Sequence, residues 1–360
     1  MQRLPVSVQT LYADLVDRAW TGSYQELVHA GGSPYKQTVK GRDYWYLKMP
    51  MVNKARRPDL YLGPDGPEVM ARLEKQKSLK AIRKERMDMT RSLRSTRMSG
   101  PDPLSGKIMS ALSEAGAFRM RAVVVGSAAF QTYSAMLGVR FADAARQTSD
   151  FDLAQLHSIS LAVDDSIRDT FITRLQAVDD RFHAIPSAKD GRKTLRYAIR
   201  TGSQGEFSVD LLSPYRGPER PTVTTLPAMK CDAQLLLRYL DFLIYDEVNA
   251  VSLYGMGIPI NVPSPERFAV HKLIVSRIRV DTSFSQAKSR KDIRQSEALL
   301  EVLLEDRKEN LRDVWNEALG RGEKWREKLH AGSGGLRDGI RTALFALTHP
   351  DLGLDEFDIS

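Results

Sequence analysis

An α+β fold is predicted by three features of the sequence. Residues 104–262 alternate short apolar strands with helices, the chain beyond Val262-Pro263-Ser264-Pro265 carries apolar positions at helical spacing, and an aromatic, β-branched cluster near the front is bracketed by turn residues. The expected architecture is a mixed-sheet domain over 104–262, a small basic β/helix module before it (1–100) and a helical domain after it (263–360). With 360 residues, 42% hydrophobic and 27% charged, the chain is long enough for two or three buried cores.

The elements follow in order. Residues 7–30 read as an amphipathic helix, ended by Gly31-Gly32-Ser33-Pro34. Aromatic and β-branched residues between Gly41 and Leu62, with turn chemistry at Lys40-Gly41-Arg42 and Gly63-Pro64-Asp65-Gly66, predict an antiparallel hairpin or three-stranded unit. Pro67 then opens a long basic helix to about Arg97, rich in good helix formers, which Ser99-Gly100-Pro101-Asp102-Pro103 breaks. The clearest strands of the following domain are Arg121–Val125, Thr148–Leu153, Leu195–Arg200 and Phe207–Leu212, and the segments beginning at Glu266 and Ile293 read as helices.

Charge is divided unevenly. The formal net charge is +8, from 53 Lys and Arg against 45 Asp and Glu, yet residues 1–100 alone hold 19 basic and 10 acidic side chains. A basic front on a neutral body points to a polyanion partner for the front only. One cysteine, Cys231, excludes an internal disulfide framework and a Cys-rich zinc site, and the six histidines form no ligand set. No segment has the ~18 apolar residues of a membrane span or the apolar stretch of a signal peptide, so a cytoplasmic, bacterial-type protein is expected.

The residues that could carry chemistry are acidic. Asp150 and Asp152 form the only Asp-x-Asp of the chain, and on a strand they face one side while Phe151 and Leu153 enter the core. Two such carboxylates repel unless a divalent cation lies between them, which suits Mg²⁺; the plainer alternative is a surface turn. Asp210 alternates with Phe207, Val209 and Leu211 on a later strand, where it would complete a three-acid site or sit as an edge-strand acid. Upstream, Gly126-Ser127 ends an apolar strand and opens a helix, a place where backbone N–H groups can receive a phosphate or the serine can simply cap. No Gly-x-x-x-x-Gly-Lys-Ser/Thr is present, which disfavours a P-loop ATPase.

Taken together, Gly126-Ser127, Asp150-x-Asp152 and Asp210 resemble the signature of the DNA polymerase beta-like nucleotidyltransferase superfamily. The stretches AVVVGSAAFQTYSAMLGVRF, QTSDFDLA, VDLLSP, VPSPERFAVHKL, KGRDYWYL and DLYLGPDG look like a largely uncharacterised bacterial branch of it, over about residues 7–305. The resemblance implies transfer of a nucleoside monophosphate from an NTP such as ATP to an acceptor, with release of pyrophosphate. It implies two Mg²⁺ ions, or Mn²⁺, on Asp150, Asp152 and Asp210, with Gly126 and Ser127 on the triphosphate. Lys272 and Arg140 are further candidates for the nucleotide, each open to a purely structural role, and Lys291-Asp292 is explained as well by pairing on a helix surface. His271 reads as a helix residue.

Tyr44, Trp45 and Tyr46 beside Lys40, Arg42, Lys54, Arg56 and Arg57 give the front module the mixture that stacks on bases and neutralises phosphates; the alternative is that the aromatics form the module's own core. A nucleic-acid acceptor such as tRNA, or a protein, is expected on the enzyme reading, and the helix from Pro67 to Arg97 is either a solvated linker or lays its basic face beside the cleft to guide an RNA or DNA acceptor. The alternative is a non-catalytic nucleic-acid-binding protein built on the same fold.

Overall fold

A computed structural model describes residues 2–29, 32–48, 59–141, 150–162, 166–167, 169–188, 191–200, 205–214, 223–235, 239–278 and 283–349. The front of the chain comprises β1 (Gln2–Arg3), α1 (Val6–Thr21), α2 (Tyr24–His29), the strands β2 (Ser33–Val39), β3 (Arg42–Lys48) and β4 (Leu60–Pro64), and α3 (Pro67–Ser95). The helix expected over 7–30 is thus two helices, interrupted at Gly22-Ser23, and Ser33-Pro34 belong to a strand rather than to a turn. Lys40 and Gly41, both at positive φ, make the two-residue hairpin between β2 and β3, and β4 pairs antiparallel with β3.

The long helix α3 begins with Pro67 at its first turn. It is not a free linker. Val69, Met89 and Leu93 are buried, and α3 packs on α1, which itself lies on the strand at Glu247–Ser252. Arg86 is 0% exposed and donates from Nε and Nη2 to the carbonyls of Met256 (3.1 Å) and Gly257 (2.5 Å).

The central region contains α4 (Pro103–Glu114), β5 (Val123–Val124), α5 (Gly126–Met136), β6 (Val139–Arg140), β7 (Asp150–Ala154), α6 (His157–Ala162), α7 (Phe171–Val178), β8 (His183–Pro186), β9 (Thr194–Arg200), β10 (Glu206–Ser213), β11 (Val223–Leu226), β12 (Cys231–Leu235), α8 (Leu240–Ile244), β13 (Glu247–Ser252) and β14 (Ile258–Pro263). Asp102 caps α4 by accepting from the N–H groups of Leu104 and Ser105, both at 3.0 Å, just where Pro101 and Pro103 stop the preceding segment. Nine strands form one mixed sheet, ordered β11-β12-β10-β7-β5-β14-β13 with β9 on β10 and β8 on β9. β7 and β10 are parallel neighbours, so the two acidic segments lie side by side. The core fills around this sheet through Val123, Val124, Phe151, Leu153, Val209 and Leu211, all buried.

The remainder is helical: α9 (Pro265–Ser276), α10 (Ser283–Asp306), α11 (Lys308–Gly320), α12 (Glu323–Ser333) and α13 (Asp338–Phe345). Ser264 caps α9 by accepting from the Arg267 N–H at 3.3 Å, and Pro265 starts it. Because α10, α11 and α12 surround α9, nearly every side chain of α9 is buried, which accounts for its lack of a polar face. Among the described residues no helix is long and apolar enough to cross a membrane.

Candidate active site

Strand alternation sets the acids. Phe151 and Leu153 are buried in the core, so Asp150 and Asp152 project from the other side of β7, into a cavity of about 380 Å³. In the parallel register Asp210 of β10 lies directly opposite Asp152, and Ser208 lies opposite Asp150. The Ser208 hydroxyl donates to Asp150 Oδ1 at 3.3 Å and stands 3.5 Å from Asp210 Oδ2, bridging the two strands. Asp150, Asp152 and Asp210 thus lie side by side on one wall of the cavity.

The Gly126 turn meets that wall. The Val125 N–H donates to the Asp152 carbonyl at 3.0 Å, which anchors the end of the β5 segment against β7. Gly126 has φ +64°, and a Cβ on it would come within 2.6 Å of Asp152 Oδ2. Both the backbone conformation and the space exclude a side chain here. Gly126 and Ser127 begin α5 and line the cavity, so first-turn N–H groups with no helical acceptor sit beside the carboxylates.

The opposite wall comes from the C-terminal helices and is cationic. Lys272 of α9 is buried, pairs with the equally buried Asp292 at 2.6 Å and lies over the Phe268 ring. Lys288 of α10 reaches Asp150 at 3.2 Å, Arg196 of β9 approaches Asp210 at 3.0 Å, and Lys291 also lines the cavity. The cavity is thus lined by four carboxylates, Asp292 of α10 among them, and four cations, while Leu240, Leu243 and Val275 supply apolar surface.

Charge crowding has consequences for protonation. Burial, reinforced by the negative charges of Asp210 and Asp150 and opposed by Lys272 and Lys288, pushes the Asp152 carboxyl from 3.8 up to about 7. Burial also raises Asp210, with Arg196 pulling the other way. Lys291 is lowered by burial and by the neighbouring Lys272.

The donor set is all hard oxygen, the kind Mg²⁺ or Mn²⁺ prefers. Arg196 Nε and Asp210 Oδ1 are close without hydrogen-bond geometry, so both atoms are buried with hydrogen-bonding capacity unused. Asp152 makes no ion pair among the described residues. The residues therefore fit a divalent cation in chemistry. In position they are held apart: among the described residues no three acidic, His or Cys side chains converge on one point, because Asp150 and Asp210 are each turned toward a cation.

Three expectations change. Arg140 does not reach this cavity; β6 pairs with β1, and the guanidinium donates to Gln2 Oε1 (2.7 Å) and the Thr96 carbonyl (2.6 Å), beside Arg294 and Glu297. Lys291-Asp292 is not a surface pair, since Asp292 is buried against Lys272 and both residues line the cavity. No residue of α3 lines it either, so the basic helix does not border the cleft. Sequence reasoning missed Arg196 and Lys288. Arg196 lay inside an expected strand but carried no motif, and Lys288 is 138 residues from the carboxylate it meets.

A family model described as nucleotidyltransferase matches residues 104–320, more than half of the chain and including every acid and cation of this cavity. The chain belongs to the nucleotidyltransferase family. It is similar to a solved structure, an antigenic nucleotidyltransferase-like protein from Paracoccidioides brasiliensis, at 13% identity and a TM-score of 0.32, over 64% of this chain and 94% of that one. No curated protein matches the sequence. The family match covers the sheet with its acids and the helices α9 and α10 that line the cavity, and leaves the basic front outside it.

Proposed function

We propose that this nucleotidyltransferase moves a nucleoside monophosphate from an NTP to an acceptor hydroxyl, releasing pyrophosphate, with Mg²⁺ as the metal. The reading is carried by one observation, the parallel register that sets Asp210 opposite Asp152 beside the Gly126 turn. Asp150, Asp152 and Asp210 would hold two Mg²⁺ ions, or Mn²⁺, whose bound form neutralises the charge that builds on the transferring phosphoryl group. Gly126 and Ser127 offer backbone N–H groups to the triphosphate, and glycine lets the phosphates approach. Lys272, Lys288 and Lys291 neutralise the phosphate oxygens, and Arg196 does so from the β9 side. Asp210 orients the acceptor hydroxyl and receives its proton.

For that to happen Lys288 and Arg196 must exchange their carboxylates for phosphate oxygens. Each is only half-buried, so the exchange costs little side-chain repacking. The acceptor is a nucleic acid such as tRNA, or a protein. The ion pairs on Asp150 and Asp210 favour a second reading, a non-catalytic nucleic-acid-binding protein in which the two cations fill the metal positions permanently.

The test is incubation of the protein and Mg²⁺ with each α-labelled NTP and a cell extract. Label should enter one macromolecule or metabolite and be absent with the D150A/D152A protein. Equal labelling by wild type and that variant, or none with any NTP, refutes the enzyme reading.

A further inference from the structure

The outer face of the three-stranded sheet is the second chemically distinct surface of the molecule. Side chains of β3 alternate, so Arg42, Tyr44, Tyr46 and Lys48 share one face. Tyr35 lies opposite Tyr46 on β2, and Tyr61 lies opposite it on β4. The rings form a continuous ladder: Tyr35 stacks on Tyr46 at 5.5 Å, Tyr46 meets Tyr61 at 5.4 Å and Tyr61 meets Tyr44 at 6.2 Å. Tyr35 is 36% and Tyr61 52% exposed, so this is not the core of the module.

The core lies on the other face, where Leu47 is buried, Gly63 touches Val69 of α3, and Trp45 lies across from Lys36 with its indole N–H donating to Asp65. Trp45, grouped from sequence with the exposed aromatics, is therefore removed from them. Lys54, Arg56 and Arg57 lie outside the described residues.

Charge is sorted by face in the same way except at Asp59, which accepts from the Tyr35 hydroxyl at 3.0 Å at one end of the ladder. Asp43 and Asp65 pair with Lys36 on the Trp45 side. Arg42 and Lys48, about 20 Å apart across six strand steps, bound the tyrosine ladder with no ion pair among the described residues. A row of half-exposed rings between two unneutralised cations is complementary to a chain that alternates flat apolar faces with negative charges. Paired bases would keep their faces inside a duplex, and only unpaired ones can lie on the rings.

We infer that Tyr35, Tyr44, Tyr46 and Tyr61 form a stacking platform for single-stranded nucleic acid, with Arg42 and Lys48 on its phosphates. As a site that presents an acceptor it rests on the nucleotidyl-transfer reading; as a binding surface it does not.

The test is fluorescence anisotropy of labelled 12-nucleotide oligo(U) and oligo(dT), and of a duplex of equal length, in EDTA without NTP, so that its failure leaves the transfer chemistry untouched. One or both single strands should bind at least about tenfold more tightly than the duplex, and whichever binds sets the sugar. Y46A and Y61A should each weaken binding about tenfold or more while Y61F stays near wild type, and R42E/K48E should lower the salt dependence by about 1.4 in log–log slope. Should an alanine variant fail to fold, photocross-linking of a 4-thiouridine-containing oligo(U) to the wild type gives the answer, with cross-links expected on these four tyrosines. Folded alanine variants that bind like wild type, equal binding of the duplex, or cross-links confined to other residues would overturn the inference.

Discussion

Replacing Asp152 by Asn should stabilise the metal-free protein, and by an amount that depends on pH. Asp152 lines the cavity with two other carboxylates on the same wall, and its carboxyl is pushed from 3.8 to about 7, by burial first and then by Asp210 and Asp150. The folded state therefore binds this proton more tightly than the unfolded chain. Its stability falls as pH rises from about 4 to 7 and is flat above, the reverse of a salt-bridged aspartate. Moving a carboxyl that far corresponds to roughly 4 kcal/mol at ~1.36 per tenfold in proton affinity. Because the side chain also touches a water-accessible cavity, about half of that is the expected gain, ~2 kcal/mol at pH 8, falling to a few tenths near pH 4. Urea unfolding of wild type and D152N in EDTA at pH 4.5, 6 and 8 reads this directly. A D152N protein that is no more stable at pH 8, or whose gain is the same at all three values, would show that the acids do not repel one another as described. Adding Mg²⁺ should close the gap by stabilising the wild type alone.

Other substitutions test separate parts of the structure. G126A forces φ +64° on an L-residue and drives a Cβ to 2.6 Å from Asp152 Oδ2; a loss of about 1–2 kcal/mol of stability is expected, together with loss of NTP-dependent labelling. K288A removes a cation from the cavity and should weaken NTP affinity roughly tenfold or more in a binding titration, whereas R140A, held by Gln2 and Thr96, should leave that affinity unchanged. R86M strips two hydrogen bonds from the Met256 and Gly257 carbonyls under α3 and should cost about 2–4 kcal/mol by chemical denaturation, with NTP affinity retained.

Local patterning made part of the site legible. The period-two alternation of Phe151 and Leu153 against Asp150 and Asp152, and of Val209 and Leu211 against Asp210, tells which face each acid takes before any pairing is known. Which strands adjoin is a tertiary fact, but two acidic strands in one mixed sheet leave few arrangements, and the parallel β7–β10 pair is one of them. The cations were harder, because a lysine on a helix announces nothing about what it faces. Lys288 meets Asp150 only after α10 folds across the sheet, and Arg140 is claimed by a β1–β6 pairing of two residues each that no local signal foretells. The front module shows the same limit: alternation could have separated Trp45 from Tyr44 and Tyr46, while the joining of Tyr35 and Tyr61 to them depended on the register of three strands.

The measurement that bears most directly on the central claim uses one NTP labelled in two ways. The protein, Mg²⁺ and the acceptor identified from extract are incubated with the α-labelled and, separately, the γ-labelled nucleotide, and pyrophosphate is followed in both. Nucleotidyl transfer predicts α label on the acceptor and γ label in pyrophosphate, both abolished by D150A/D152A. Transfer of the γ label, or transfer that survives loss of both aspartates, would contradict the account.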